Sequence, residues 1–141
     1  NCRLVLPIDA VTADKISNKA DTKESDIDNI EEQNMILDIG KNTVKLIKNE
    51  ISKSKTVFWN GPLGVFETSP FDRGTVEIAK FISNLTANNK IRSFAGGGDT
   101  ISALDLAGVK DNFSYVSTGG GALLELIEGK KLPGLVALGI L

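Results

Sequence analysis

The sequence predicts an α/β fold, a doubly wound and mostly parallel sheet with helices on both faces, present as an incomplete domain over residues 1–141. Two observations carry most of that prediction. From Met35 onward, short apolar runs alternate with stretches of helical period, the signature of strands joined through helices. Polar turns rich in glycine follow those apolar runs, where a strand must reverse into a helix. The 141 residues are 41% hydrophobic and 24% charged, which suffices for one core burying roughly two thirds of the unfolded surface.

The chain begins without methionine on an apolar run, "CRLVLPID" (2–9), which reads as a strand and as an internal part of something longer. Residues 14–34 concentrate acidic charge with no sustained apolar period and read as a solvated surface excursion. Four strand–helix units follow. "MILDIG" (35–40) precedes a helix with Val44, Ile47 and Ile51 on one face. "TVFWNG" (56–61) precedes a short connection and a helix with Ile78, Phe81, Ile82 and Leu85 at i, i+3, i+4 and i+7. "IRSFAGGG" (91–98) leads to a helix starting near Asp99. "FSYVSTGGG" (113–121) leads to one turning Leu123, Leu126 and Ile127 inward. Helical crossovers imply parallel pairing. Phe58 and Trp59 read as core residues of their strand.

Composition excludes several functions. Sixteen basic and eighteen acidic residues, net −2, are mixed along the chain, so no basic footprint for nucleic acid or an anionic membrane stands out. A lone Cys2, no signal segment and no run of about twenty apolar residues point to a reducing, cytoplasmic setting. There is no histidine, which removes Ser-His-Asp and Cys-His nucleophiles and all His-ligated metals. Carboxylates, hydroxyls, lysines and backbone groups remain.

Three turns fall at the carboxyl ends of predicted strands, where open parallel sheets hold their ligands: Asn60-Gly61-Pro62, Gly96 to Thr100, and Ser117 to Gly121. Glycine lets backbone N–H groups approach a ligand, and a following helix offers unpaired donors and its positive dipole end. Such an edge suits phosphate. Neither glycine run is a G-x-G-x-x-G fingerprint, since Ile101 and Leu124 hold the third glycine position, and no G-x-x-x-x-G-K-[ST] occurs. Asp99 suits a helix N-cap and equally a Mg²⁺ site beside phosphate. Thr100 can donate to phosphate or simply occupy a first turn. Glu67 is either a surface carboxylate or a partner for ribose hydroxyls.

Taken together, "LPIDAVTADK", "ILDIG", "VFWNGPLGVFE", "FAGGGDTISAL" and "YVSTGGGALLELIEGKKLPG" resemble the phosphoglycerate kinase family, in order and spacing, over most of residues 1–135. The resemblance implies phosphoryl transfer between ATP and the carboxyl of 3-phosphoglycerate, giving ADP and 1,3-bisphosphoglycerate, with Mg²⁺. It implies a monomer of two Rossmann-like domains hinged about a cleft, residues 1–141 matching the C-terminal portion of the nucleotide-binding domain. By the same resemblance Leu37, Pro62 and Val65 flank adenine, Asn60 reaches the phosphate chain and Glu67 holds the ribose. Gly97 and Gly98 offer N–H groups, Asp99 takes the metal and Thr100 a phosphate, while Gly119, Gly120 and Gly121 serve the phosphoryl group in flight. The basic cluster for phosphoglycerate, the hinge and a GGAK-type stretch have no counterpart here, so the N-terminal substrate domain is the expected partner. A different α/β nucleotide-binding transferase, or a non-catalytic nucleotide-binding module, is the alternative.

Overall fold

A computed structural model of the chain describes residues 2–140. Among these residues six strands and five helices run β1 (Asp9–Ala13), β2 (Lys23–Asp26), β3 (Met35–Ile39), α1 (Lys41–Lys53), β4 (Thr56–Asn60), α2 (Arg73–Ala87), β5 (Arg92–Gly96), α3 (Gly98–Ala107), β6 (Tyr115–Ser117), α4 (Gly120–Ile127) and α5 (Pro133–Ala137), with 3-10 turns at Ile27–Asn29 and Lys110–Asn112. They form two three-stranded sheets. The sheet β4-β5-β6 is parallel, and the sheet β2-β1-β3 is antiparallel.

The α/β reading and the parallel strand–helix units from Thr56 onward hold. Three expectations change. The first strand begins at Asp9, not at Cys2, because Pro7 has no N–H to give a ladder. The acidic excursion contains β2, paired antiparallel with β1 from Asp9↔Asp26 to Thr12↔Lys23. And β3 joins β1 antiparallel instead of extending the parallel sheet.

Alternation along the parallel strands explains the core. Val57, Trp59, Ala95 and Val116 turn to one face and meet Ile78, Ile82, Leu104 and Phe113, which come from α2, α3 and the segment after them. The expected inner faces of α1 and α2 are those that pack, with Val44, Ile51, Ile78 and Ile82 buried and Ile47, Phe81 and Leu85 against them. On the opposite face Thr56, Phe58, Phe94 and Tyr115 lie with Leu123, Leu124 and Ile127 along an open apolar groove of about 720 Å³. Only α4 covers that face among the described residues, so Phe58 is 38% exposed and Ile127 62%. Phe58 is therefore not core. Of the three residues expected inward on α4, Leu123 is half-buried while Leu126 and Ile127 are exposed. No helix among the described residues is long and apolar enough to cross a membrane.

Candidate nucleotide and phosphate site

Parallel register delivers the three turns to one edge at the same level, since Asn60 pairs with Gly96 and Gly96 with Ser117. Beyond β5 the chain turns at Gly97, whose φ of +98° is closed to most side chains. A Cβ at Gly97 would lie 3.0 Å from Asn60 Oδ1 and 3.6 Å from Thr100 Oγ1, so Asn60 and Thr100 flank this glycine. The Gly61 N–H donates to Thr100 Oγ1 at 2.7 Å, tying the β4 turn to α3. Thr100 is buried; its oxygen accepts there, and among the described residues its hydroxyl proton has no acceptor, so it can be donated to a ligand.

The second glycine turn packs directly on the first. A Cβ at Gly120 would stand 2.5 Å from both Cα and N of Gly97 and 3.3 Å from C of Gly96. The repeated glycine run thus has a structural cause that spacing alone did not show: two turns share one backbone contact, and only a residue without Cβ allows it. Gly98 and Gly121 have open space beside them, and Gly119 is exposed.

The starts of α1 and α2 are filled by carboxylates. At α1, Asp9 accepts from the N–H groups of Asn42 (2.9 Å) and Thr43 (2.7 Å) and from the Thr43 hydroxyl (2.6 Å), while Lys41 N–H donates to Glu24 at 2.7 Å. Burial pushes the Asp9 pKa up, but those hydrogen bonds, the Thr43 hydroxyl first, together with the Lys41 charge, hold it below the ordinary carboxylate value. At α2, Gly74 N–H donates to Asp38 at 2.7 Å. By contrast α3 and α4 start at Gly97 and Gly119 with no side-chain cap. Among the described residues the N–H groups of their first turns have no protein acceptor, leaving two open, positively polarised helix ends in backbone contact.

Asp99 is not the N-cap of α3. It is the second helical residue, exposed, and its carboxylate makes no hydrogen bond among the described residues. Among the described residues no three or more His, Cys, Asp or Glu side chains converge on a metal position. A single free carboxylate beside open phosphate donors suits Mg²⁺, which takes one or two protein carboxylates and completes its shell with water and phosphate oxygens.

Beside this edge, Leu37, Pro62 and Val65 line one largely apolar pocket of about 390 Å³ together with Ala10, Ile36 and Leu63. Val65 N–H donates to Leu37 O at 2.8 Å, which fixes the two walls to each other. The volume and lining suit a flat heterocycle. Glu67 is exposed and makes no hydrogen bond among the described residues, so it is not drawn into the pocket wall.

Sequence reasoning overlooked Asp38, although a carboxylate within the apolar run "MILDIG" was a signal. It is 1% exposed, accepts from Ile39 N–H at 2.8 Å and Gly74 N–H at 2.7 Å, and abuts Gly64 and Gly74 so closely that a Cβ at either would lie 2.5 Å from its Oδ1. It thereby ties β3, the start of α2 and the Pro62–Val65 turn together. Burial pushes its pKa up to about 6, the hydrogen bonds from Gly74 and Ile39 pull the other way, and the charges of Asp72 and Glu77 add to the upward push. The folded carboxyl then binds its proton more tightly than the unfolded one, at an ordinary value of 3.8. The stability this gives is fully present below about pH 4 and lost as pH rises to about 6. Relative to Asp38→Asn, which does not titrate, the chain should lose on the order of 3 kcal/mol across that window and nothing further above it. Urea unfolding of both proteins at several pH values measures this, and a difference flat with pH would contradict it.

The family profile described as phosphoglycerate kinase matches residues 1–130. Curated proteins of that name are similar to this chain: that of Chelativorans sp. (strain BNC1) is 51% identical over 137 residues, 97% of this chain and 34% of that protein. That of Xanthobacter flavus is 47% identical over the same shares. Among solved structures, phosphoglycerate kinase from Coxiella burnetii superposes with a TM-score of 0.82 at 40% identity, covering 89% of this chain and 32% of that one. The Pyrococcus horikoshii OT3 enzyme gives 0.76 at 35%, covering 95% and 32%. The chain spans about a third of the length of the curated relatives it matches.

Proposed function

The chain belongs to the phosphoglycerate kinase family, and from that premise we propose that it supplies the nucleotide half of a site for reversible phosphoryl transfer between ATP and the carboxyl of 3-phosphoglycerate. The observation that carries the reading is the pair of open helix starts in backbone contact at one sheet edge, level with Asn60.

In the proposed arrangement Leu37, Pro62 and Val65 enclose the adenine and Glu67 accepts the ribose hydroxyls. Asn60 and the N–H groups of Gly97 and Gly98 hold the phosphate chain, with the free Thr100 hydroxyl proton directed at a phosphate oxygen. Mg²⁺ held by Asp99 would neutralise phosphate charge as the bond to the transferring group loosens. The N–H groups of Gly119, Gly120 and Gly121 receive the oxygens of that group as its bond to ADP breaks and its bond to the acceptor carboxylate forms. Such a transition state spreads charge over its oxygens, so positioned donors can carry the catalysis without a protein nucleophile. The acceptor site and the closure that aligns the reactants belong, in this proposal, to an N-terminal domain of a monomeric cytoplasmic enzyme.

Calorimetric titration of the chain with ADP, with and without Mg²⁺, tests the reading. Binding strengthened by Mg²⁺ and abolished by blocking the 97–100 turn supports it, and no binding under either condition defeats it. The chain alone should show no turnover with ATP, Mg²⁺ and 3-phosphoglycerate, because alignment of reactants is worth about 7–11 kcal/mol of barrier in a well-oriented site. Catalysis that tracked the wild-type chain and vanished in Asp99→Ala would contradict the half-site. Glu67→Gln should weaken nucleotide affinity about tenfold through loss of charge-assisted hydrogen bonds, with the melting temperature unchanged since Glu67 is exposed. Unaltered affinity would remove Glu67 from the ribose.

A further inference from the structure

At the other end of the parallel strands lies a polar cleft of about 650 Å³, lined by Lys55, Thr56, Thr86, Asn89, Lys90 and Arg92 with Ile91 and Ser114. We propose that this cleft is a binding site for a small anion of clustered phosphate charge, separate from the glycine turns. The proposal does not rest on the nucleotide reading.

The backbone that carries the cations is pinned. Arg92 N–H donates to Lys55 O at 2.9 Å, and Arg92 pairs with Thr56 across β4 and β5. At the end of α2 the chain reverses through Asn89 at φ +53°, with Lys90 N–H on Leu85 O at 2.9 Å, which sets Lys90 at the rim. Ser93 and Ser114 exchange two bonds, each backbone N–H donating to the other's hydroxyl oxygen at 3.1 and 3.2 Å. Three positive charges thus stand at fixed backbone positions around one opening.

Nothing in the protein answers them. No carboxylate lines the cleft, and none of Lys55, Lys90 and Arg92 forms an ion pair among the described residues, whereas Lys41, Lys48 and Lys110 are each paired with a neighbouring acid. Neutral donors stand beside the cations: the Thr56 hydroxyl, the Asn89 amide and the Ser114 hydroxyl proton have no acceptor among the described residues. Three like charges without a counter-charge repel one another, and an anion relieves that repulsion while accepting from the neutral donors. The only apolar lining residue, Ile91, is buried, so the cleft offers phosphate contacts without a surface for a base to stack on. Thr56 and Arg92 in its lining stand four residues from Asn60 and Gly96 along β4 and β5, about 13 Å at the usual strand rise, too far for one small inorganic anion to occupy both.

The test is titration of the isotope-labelled chain with inorganic triphosphate at physiological salt, followed by amide chemical shifts. Saturable shifts at residues 55–56, 89–92 and 114 are expected. Lys90→Glu/Arg92→Glu should weaken them by about tenfold or more, and the neutral Lys90→Ser/Arg92→Ser variant by less. Lys45→Glu/Lys80→Glu, at exposed sites outside the cleft, should leave them unchanged. Equal weakening by both charge reversals would reduce the cleft to part of a diffuse field and overturn the proposal. Shifts confined to residues 97–100 and 119–121 would also overturn it, while supporting the nucleotide site. Thermal melts of each variant confirm that folding is intact.

Discussion

Gly120→Ala should cost about 2–4 kcal/mol of stability and lower the melting temperature by on the order of 10 °C, while Gly121→Ala next to it is neutral or slightly stabilising. The asymmetry follows from what each methyl meets. At Gly120 it would sit 2.5 Å from Gly97 Cα and N and 3.3 Å from Gly96 C, all backbone atoms of a strand end and a helix start that cannot move aside as a flexible side chain would. At Gly121 it would enter open space in the first turn of α4, where alanine is the better helix former. Relief of the clash would push the α4 turn off the α3 turn and separate the two open helix starts, so nucleotide affinity should fall in Gly120→Ala and hold in Gly121→Ala. Thermal denaturation and ADP titration of both variants check this. Equal melting temperatures would show that the two turns do not depend on their shared contact.

Asp99→Ala should act in the opposite way, with large effects on chemistry and small effects on folding. In a full-length kinase carrying these residues, loss of this carboxylate should raise the barrier by about 2–4 kcal/mol, the range found when one electrostatic stabiliser is removed. Stability should stay within about 0.5 kcal/mol of wild type, as for other surface substitutions away from structural features, since the Asp99 side chain is exposed, makes no hydrogen bond among the described residues and does not cap α3. Turnover against free Mg²⁺ distinguishes a metal role from a generic charge effect, because the variant should need more Mg²⁺ for half-maximal rate. Unchanged turnover would remove Asp99 from the site.

Within the candidate site, the turns were legible because their chemistry is local. Glycines at strand ends, the Asn60-Gly61-Pro62 turn and the "GGGDT" run announce themselves in sequence, and their convergence follows from parallel pairing alone. The grouping of Leu37, Pro62 and Val65 came from resemblance to a family, and their shared pocket is visible only in three dimensions. Asp38 escaped because its importance lies in what surrounds it. The two N–H groups it accepts from and the glycines it abuts come from β3, α2 and the turn between β4 and α2.

The same division runs through the whole fold. The amino-acid sequence by itself determined the α/β class, the strand–helix order from Met35 onward and the buried faces of α1 and α2, because side-chain periodicity reports local conformation. Tertiary structure decided the partners. The polar run "KESD" has no strand-like alternation of burial and becomes β2 only because β1 offers it a ladder. β3 reads like any parallel strand yet pairs antiparallel with β1, since hydrophobic pattern fixes which face is buried and not which neighbour binds the edge. The inward expectation for α4 failed because periodicity marks Leu126 and Ile127 as apolar without supplying a surface to cover them. The contact between Gly97 and Gly120 was likewise decided in space, by two backbones meeting from turns 23 residues apart, a distance at which local pattern carries no information.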